Sequence, residues 1–396
     1  MLLDSCIIVQ IVSLTKQMDM KKKALIAVNF IGFFHFLWDD IDMLNEMGYK
    51  VYAMGDNEKQ EEHTLKIMEE KKVTFIDAKI DSKSPFTRNN WAYYKKVKGL
   101  LREHHFDLVH CHTPIVGLLV RLAARNYRKH GAKVIYTTHG LAYTHLSSRK
   151  EYIIYHSIES LASRFCDAII TINKEDFENA KKLHCRNVYH INGVGVDTHR
   201  YSCVTIDRNE YRKKLGIPEG KLMVLAIGEL SYRKNHTVIV KALAKLKNKA
   251  DFVYAICGRE MTSGGTGDEI RRLSAELGVS TIFLGFRHDI PEVVHCADIG
   301  VMPSIREGLG LAGIEMLSEG IPLVGTDVQG IREYIINGKT GFLCNPYDVY
   351  AFADGLSKLS EESIRIQMQP ECKKIVKQFD KSVSVKQRQS IYQTIL

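Results

Sequence analysis

Two glutamates, Glu307 and Glu315, stand eight residues apart in REGLGLAGIEMLSEGIPLVGTD (306–327), with Gly308, Gly310 and Gly313 between them. A carboxylate accepts two hydrogen bonds side by side, which suits the vicinal hydroxyls of a ribose or a hexose. Glycines at 308 and 310 let backbone N–H groups approach a ligand with no Cβ in the way. A second stretch, GELSYRKN (228–235), follows an apolar run. There Gly228 lets the chain turn, and Arg233 and Lys234 arrive at the mouth of the next helical pattern. Two cations at a helix N-terminus suit a diphosphate, through charge-assisted contacts and the positive end of the helix dipole. Taken alone, the pair also fits an exposed basic turn, and Glu315 alone also fits a solvent-facing helix position. The apolar neighbours Ile314, Leu317 and Ile321 weigh against the second of these. His110 and His112 alternate on one strand, but no acid or third ligand of suitable spacing accompanies them, so no metal site is read.

These residues need elements to hold them, and the chain supplies a regular rhythm. Short apolar runs read as strands at 24–29, 50–54, 73–76, 107–112, 134–139 and 168–173. Helical patterns fill most gaps, among them Phe36–Met47 and Ile115–Lys129. After VYHINGVGVDTHRYSCVTID the rhythm restarts, with strands at 222–228, 252–258, 281–285, 298–303 and 321–326. Near-continuous apolar strands alternating with helices predict parallel sheets covered on both faces. In such sheets ligands bind beyond the carboxyl ends of the strands. That is where GELSYRKN, the Gly258-Arg259-Glu260 turn and the glutamate-bearing loop fall.

At 396 residues the chain is longer than one core usually supports, and two domains are expected, joined near residues 195–206. The expected extents are 21–200 for the first domain and 201–375 for the second. A C-terminal segment, 376–396, is expected to be helical and to pack back on the first domain. Residues 1–20 read as a disordered extension, or alternatively a weak membrane-surface anchor, because LLDSCIIVQIVSLT is too short to span a bilayer and lacks a basic n-region. Nine cysteines are scattered without a C-x-x-C pair, which reads as a reduced, cytosolic chain.

The net charge is +9, and residues 83–150 hold thirteen Lys/Arg against Glu103 and Asp107. In RNNWAYYKKVKGLLREHH, Trp91, Tyr94, Val97 and Leu101 form the expected apolar helix face, with Lys95, Lys96, Lys98 and Arg102 mostly elsewhere. Either this is a solvated helix face or it is a patch for an anionic partner, with membrane lipid favoured over nucleic acid. No nucleic-acid-binding motif is present.

The ordered set of motifs resembles the retaining GT-B glycosyltransferases of family 4. EGLGLAGIE looks like that family's E-x7-E motif, GELSYRKN its diphosphate-binding segment, GFRHDI (285–290) its base-proximal loop and GVGVDTHRY (193–201) its interdomain segment. VHCHTP (109–114), TTHG (137–140) and ITINKED (170–176) make the capsular and exopolysaccharide branch the most similar. The resemblance covers about residues 22–350. It implies an α/β GT-B fold: two Rossmann-like, doubly wound parallel-sheet domains facing across a cleft.

It also implies roles. Glu315 would bind the ribose and Glu307 the donor-sugar hydroxyls. Gly308, Leu309, Gly310 and Leu311 would line the donor with backbone, as would Gly228 and Gly258. Arg233 and Lys234 would hold the diphosphate without a metal or other cofactor, and Phe286 and Arg287 would contact the base. His139 would face the donor sugar, although a capped strand-end histidine fits its position as well. Many relatives carry a glycine pair after the first strand, whereas NFIGFFHF offers only Gly32 for an acceptor or phosphate loop. Phe33, Phe34 and Phe36 could instead form an apolar acceptor edge.

The expected activity is transfer of a hexose or N-acetylhexosamine from a UDP-sugar to an undecaprenyl-diphosphate-linked saccharide in surface polysaccharide synthesis. The expected place is the cytoplasmic face of the inner membrane, held there through the basic 83–150 region. The alternative is a nucleotide-sugar enzyme of the same fold, similar to a UDP-N-acetylglucosamine 2-epimerase. A dehydrogenase is the least favoured reading, because no strand is followed by G-x-G-x-x-G with a later ribose acid.

Overall fold

The computed structural model describes residues 22–396 other than 59, 60, 83, 85, 262 and 263. The extension expected over 1–20, Cys6 and Lys83 lie outside the described residues. Two compact units divide the chain. The first holds the residues up to Thr171, Phe177–Tyr189 and Gln387–Leu396, and the second holds Ile172–Asp176 and His190–Lys386.

In the first unit seven strands lie in the order β3-β2-β1-β4-β5-β6-β7. They are β1 (Lys23–Phe30), β2 (Lys50–Asp56), β3 (Thr74–Asp77), β4 (Leu108–His112), β5 (Lys133–Thr138), β6 (Ala168–Thr171) and β7 (Asn187–His190). From β3 to β6 every neighbouring pair is parallel. Such strands are buried on both faces, and β4 is buried at all five positions even though two of them are histidines. The order reverses direction between β1 and β4. That is the switch point at which loops from both sides leave a crevice.

The second unit repeats the plan with six strands, β10-β9-β8-β11-β12-β13. These are β8 (Leu222–Ile227), β9 (Phe252–Cys257), β10 (Thr281–Gly285), β11 (Ile299–Met302), β12 (Leu323–Thr326) and β13 (Gly341–Cys344), all parallel. Its switch point lies between β8 and β11, the strands that feed GELSYRKN and the glutamate loop.

Sequence and structure part company at identifiable places. β7 and β13 are four-residue edge strands with partly exposed patterns, and a run that short carries too little apolar periodicity to read. The helix Arg88–His104 turns its Tyr93, Val97 and Leu101 to the core, at spacings of four, so the expected Trp91 face is corrected. Trp91 is 59% exposed, stacked on Tyr94 at 5.3 Å with the Lys95 ammonium over its ring. Phe36–Met47 divides into a 3-10 turn, Ile31–Phe36, and a helix, Trp38–Glu46. Ile115–Lys129 ends early as a helix, Pro114–Ala124.

Charge counting also overstates the basic surface. Arg121 is fully buried on the Pro114–Ala124 helix, pairs with Glu159 at 2.8 Å and lies over the Tyr136 ring. Arg128 pairs with Asp167 at 2.6 Å. The C-terminal helix, Lys381–Ile395, starts in the second unit and ends in the first. Its Arg388 bonds to the buried Asp40 at 2.8 Å, and Tyr392 bonds to His110 at 2.7 Å. All eight described cysteines are free. No described helix is long and apolar enough to cross a membrane.

Candidate active site

The loops after β8 and β11 meet at the second unit's switch point, and their own backbone ties them together. Asn235 takes a left-handed conformation at the end of the 3-10 turn Tyr232–Lys234. Its side-chain amide donates to the Pro303 carbonyl at 3.1 Å and to Pro346 at 2.8 Å. Ile305 N–H donates to the Arg233 carbonyl at 2.9 Å. The turn is tight because Gly228 and Gly258 have no side chains. A Cβ on Gly258 would stand 1.8 Å from the Gly228 carbonyl oxygen, and one on Gly228 2.9 Å from Lys234 Cε.

This geometry brings Arg233 and Lys234 onto Glu307. Lys234 Nζ donates to Glu307 Oε2 at 2.7 Å, Arg233 at 3.0 Å and the Ser304 hydroxyl at 3.3 Å. Arg233 also reaches Glu229 at 3.1 Å. Burial raises the cost of a charged Glu307, but the two cations outweigh it and hold its carboxyl below the ordinary value. Among the described residues no bond reaches Glu307 Oε1, so the ion pairs leave one carboxylate oxygen for a ligand hydroxyl.

Glu315 is built differently. It lies in the helix Leu311–Glu319, which Gly310 opens in a left-handed conformation and no side chain caps. No side-chain cap takes the N–H groups of Leu311 and Ala312, while Gly313 N–H donates to the Gly310 carbonyl at 3.0 Å. Burial raises the Glu315 carboxyl above the ordinary value, opposed by a hydrogen bond from the Tyr201 hydroxyl and by Arg200. The two motif glutamates thus stand in opposite electrostatic surroundings eight residues apart.

The glycine loop between them is braced from several sides. The Tyr334 hydroxyl donates to the Gly310 carbonyl at 3.0 Å, and the Asn173 amide to the Gly308 carbonyl at 2.9 Å. Leu309 is buried against Gly193, where a Cβ would stand 2.2 Å from its Cδ2. Asn173, Asn235, Ser304 and Tyr334 were not among the residues singled out from the sequence. Two of them stood inside quoted motifs, Asn173 in ITINKED and Asn235 in GELSYRKN, where charge drew attention elsewhere.

At the end of β10, Phe286 is 53% exposed, with the Arg259 guanidinium 3.9 Å from its ring centroid. The Arg287 side chain is committed to Asp289, at 2.7 Å through Nε, which holds that carboxyl down to about 2 despite partial burial.

In the first unit, His139 follows β5 and bonds through Nε2 to His112 Nδ1 at 3.1 Å. Burial, with Arg388 nearby, pushes His139 down to about 3, which favours its neutral form. Phe33 meets its ring edge-on at 4.8 Å. Gly32 lies in the 3-10 turn after β1, where a Cβ would press on the Phe30 ring at 2.8 Å.

Comparison with known proteins agrees with this architecture. Residues 41–200 match the family described as Glycosyltransferase Family 4, and residues 207–379 match Glycosyl transferases group 1. The Bacillus subtilis (strain 168) protein named "Putative glycosyltransferase EpsD" is 34% identical over 330 residues, covering 81% of this chain and 86% of that one. UDP-Gal:alpha-D-GlcNAc-diphosphoundecaprenol alpha-1,3-galactosyltransferase from Escherichia coli is 26% identical over 292 residues, covering 71% of this chain and 73% of its own. Among solved structures, Anabaena Alr3699/HepE in complex with UDP and glucose superposes with a TM-score of 0.76 at 19% identity. That match covers 94% of this chain and 100% of that one, and it supports the fold alone. With two parallel-sheet α/β units of this order and a relative this similar over most of its length, the chain belongs to the GT-B glycosyltransferases of family 4 and group 1.

Proposed function

We propose that the protein is a retaining glycosyltransferase that moves a hexose or N-acetylhexosamine from a UDP-sugar to a lipid-diphosphate-linked saccharide in surface polysaccharide synthesis. The observation that carries this reading is the convergence of Arg233 and Lys234 on Glu307 at the second unit's switch point. Two cations there match a diphosphate leaving group, and the open Oε1 of Glu307 matches a sugar hydroxyl. An arriving diphosphate takes the cations from Glu307, which frees the carboxylate for the sugar. Glu315 is assigned to the ribose and the Phe286–Arg287 backbone to the base.

In the proposed step the bond from the sugar C1 to the UDP oxygen breaks and a bond from C1 to the acceptor oxygen forms on the same face. The acceptor's proton passes to the leaving phosphate. Arg233 and Lys234 stabilise the charge that develops on UDP, so the reaction is proposed to run without a metal. The part given to His139, as a group that touches the donor sugar, rests on the family resemblance.

The E. coli relative's name specifies a UDP-Gal donor and a diphosphoundecaprenol acceptor, which supports a UDP-sugar donor and an undecaprenyl-diphosphate-linked acceptor here. Such an acceptor stays in the membrane, so we place the protein peripherally on the inner face of the plasma membrane. The exposed Lys95, Lys98 and Arg102 supply the cations for that surface.

The test is UDP release from a panel of UDP-sugars in EDTA, with and without lipid-linked acceptors, for wild type and Glu307→Gln. Acceptor-dependent release that falls by about a hundredfold or more in the variant supports the proposal. Conversion of one UDP-sugar into its epimer, with no transfer to any acceptor, overturns it.

A further inference from the structure

β10 ends at Gly285, whose φ of 67 turns the chain, and residues 286–289 lead into the helix Ile290–His295. Asp289 stands at the N-cap position of that helix, where an aspartate ordinarily accepts from the first backbone N–H groups. Here its side chain makes no cap bond. The carboxylate instead takes a fork from Arg287, with Nε 2.7 Å from Oδ1 and Nη2 on Oδ2. On the same Oδ2 the Tyr211 hydroxyl donates. Arg287 Nη2 also reaches the Tyr211 oxygen at 3.4 Å, so the three side chains close a ring. The helix forgoes its cap for this ring, so the ring serves something other than the helix.

Tyr211 arrives from outside the sheet, on the helix Arg208–Lys214. Two arginines of that helix hold the far end of Ile290–His295. Arg208 donates to the carbonyls of His295, Cys296 and Ala297 at 3.1, 3.2 and 3.2 Å, and Arg212 to Cys296 at 2.7 Å. Both also pair with Asp298, at 2.7 and 3.0 Å. The last carbonyls of a helix lack intrahelical partners, so guanidinium donors there fix its end. Asp298 in turn accepts from Met223 N–H at 2.7 Å, at the start of β8. The helix Arg208–Lys214 is therefore anchored to the strand region, and Tyr211 carries that anchorage to the loop.

The loop lies at the carboxyl end of its strand, where ligands of such sheets bind. Its Phe286 ring is backed by the Arg259 guanidinium at 3.9 Å and met edge-on by His288 at 4.9 Å. Hydrogen bonds to a base weaken steeply with angle. A loop that reads one works only when held to within about 0.5 Å by neighbours that need not touch the ligand.

We propose that Tyr211 is a positioning residue for the donor: through Asp289 and Arg287 it fixes residues 286–289 so that the loop discriminates the nucleotide base. Tyr211 itself does not touch the nucleotide. This rests on the assignment of that loop to the base of a nucleotide-sugar donor, and it names the residue that sets the loop's selectivity.

The experiment is calorimetry on the full chain with UDP and ADP, which share ribose and diphosphate and differ in the base. Wild type, Tyr211→Phe, Asp289→Asn and the double variant are compared. Tyr211→Phe is expected to raise the Kd for UDP about tenfold and to leave that for ADP unchanged. The double variant is expected to bind UDP no more weakly than Asp289→Asn, because Tyr211 acts through Asp289. Unchanged UDP binding in Tyr211→Phe, an equal loss for UDP and ADP, or additive losses in the double variant overturn the proposal. An equal loss is what a merely structural role would give. If ADP binds none of the proteins, the double-variant comparison on UDP decides. If Tyr211→Phe does not fold, Asp289→Asn carries the same expectation of UDP against ADP. A wild type that binds no UDP counts against the transferase reading, whereas wild-type UDP binding that Tyr211→Phe leaves unchanged counts against this inference alone.

Discussion

The two motif glutamates predict different responses to pH. Glu307 is held ionised by Lys234 and Arg233, so its folded-state value lies below the unfolded one. Its contribution to stability is present above the unfolded value, roughly 4.3, and is lost as pH falls through the folded one. Glu315 is the reverse, because burial raises it. A carboxyl raised in the folded state favours folding at low pH, and that contribution fades as pH climbs through the folded value. Glu315→Gln is therefore expected to melt higher relative to wild type at pH 8 than at pH 4, while weakening UDP binding. A thermal melt series across pH, with UDP calorimetry, checks both. A difference in melting temperature that does not change with pH would contradict the assignment.

At the scale of elements, the glycines are tests of which close approaches the fold requires. Gly258 follows β9, and its Cβ would collide with the backbone of Gly228, which has no side chain to move aside. Gly258→Ala is expected to destabilise the second unit by more than about 1 kcal/mol and to displace Arg233 and Lys234 from Glu307. Gly99, in the helix Arg88–His104, has nothing within 4 Å of a built Cβ. Gly99→Ala is expected to stabilise by about 0.5–1 kcal/mol. Denaturant melts of the two variants decide this, and a Gly258→Ala protein as stable as wild type would mean the turn tolerates another path. Tyr334→Phe removes a bond to the Gly310 carbonyl and is expected to cost about 1 kcal/mol.

At the scale of the molecule, the last helix and the surface charge matter most. Arg388 and Asp40 are 4% and 2% exposed and bonded at 2.8 Å. Arg388→Met leaves a buried carboxylate without its guanidinium and is expected to cost about 3–5 kcal/mol in the transition of the first unit. A loss below about 1 kcal/mol would show that Asp40 finds another partner or protonates freely. Lys95, Lys98 and Arg102 are exposed on one helix. Reversing all three to Glu is expected to lower cosedimentation with anionic vesicles at least tenfold, at about 1 kcal/mol per charge. Binding by wild type is expected to weaken as salt rises. Equal binding of both proteins to neutral vesicles would remove the electrostatic reading.

The sequence by itself determined the class of fold, the restart near residue 200 and most of the central strands, because a parallel strand buried on both faces must be apolar along its length. It also marked Arg233, Lys234, Glu307 and Glu315, since charge beside glycine at strand ends is rare without a ligand to explain it. Only the tertiary structure decided which groups meet. Lys234 and Glu307 are 73 residues apart in sequence, and it takes the adjacency of β8 and β11 to put them 2.7 Å from each other. The same holds for Tyr201 beside Glu315. The edge strands β7 and β13 and the true inner face of the Arg88–His104 helix also waited on packing. A four-residue run has too few positions to show a period, and Tyr93 and Tyr94 are indistinguishable until a core chooses between them.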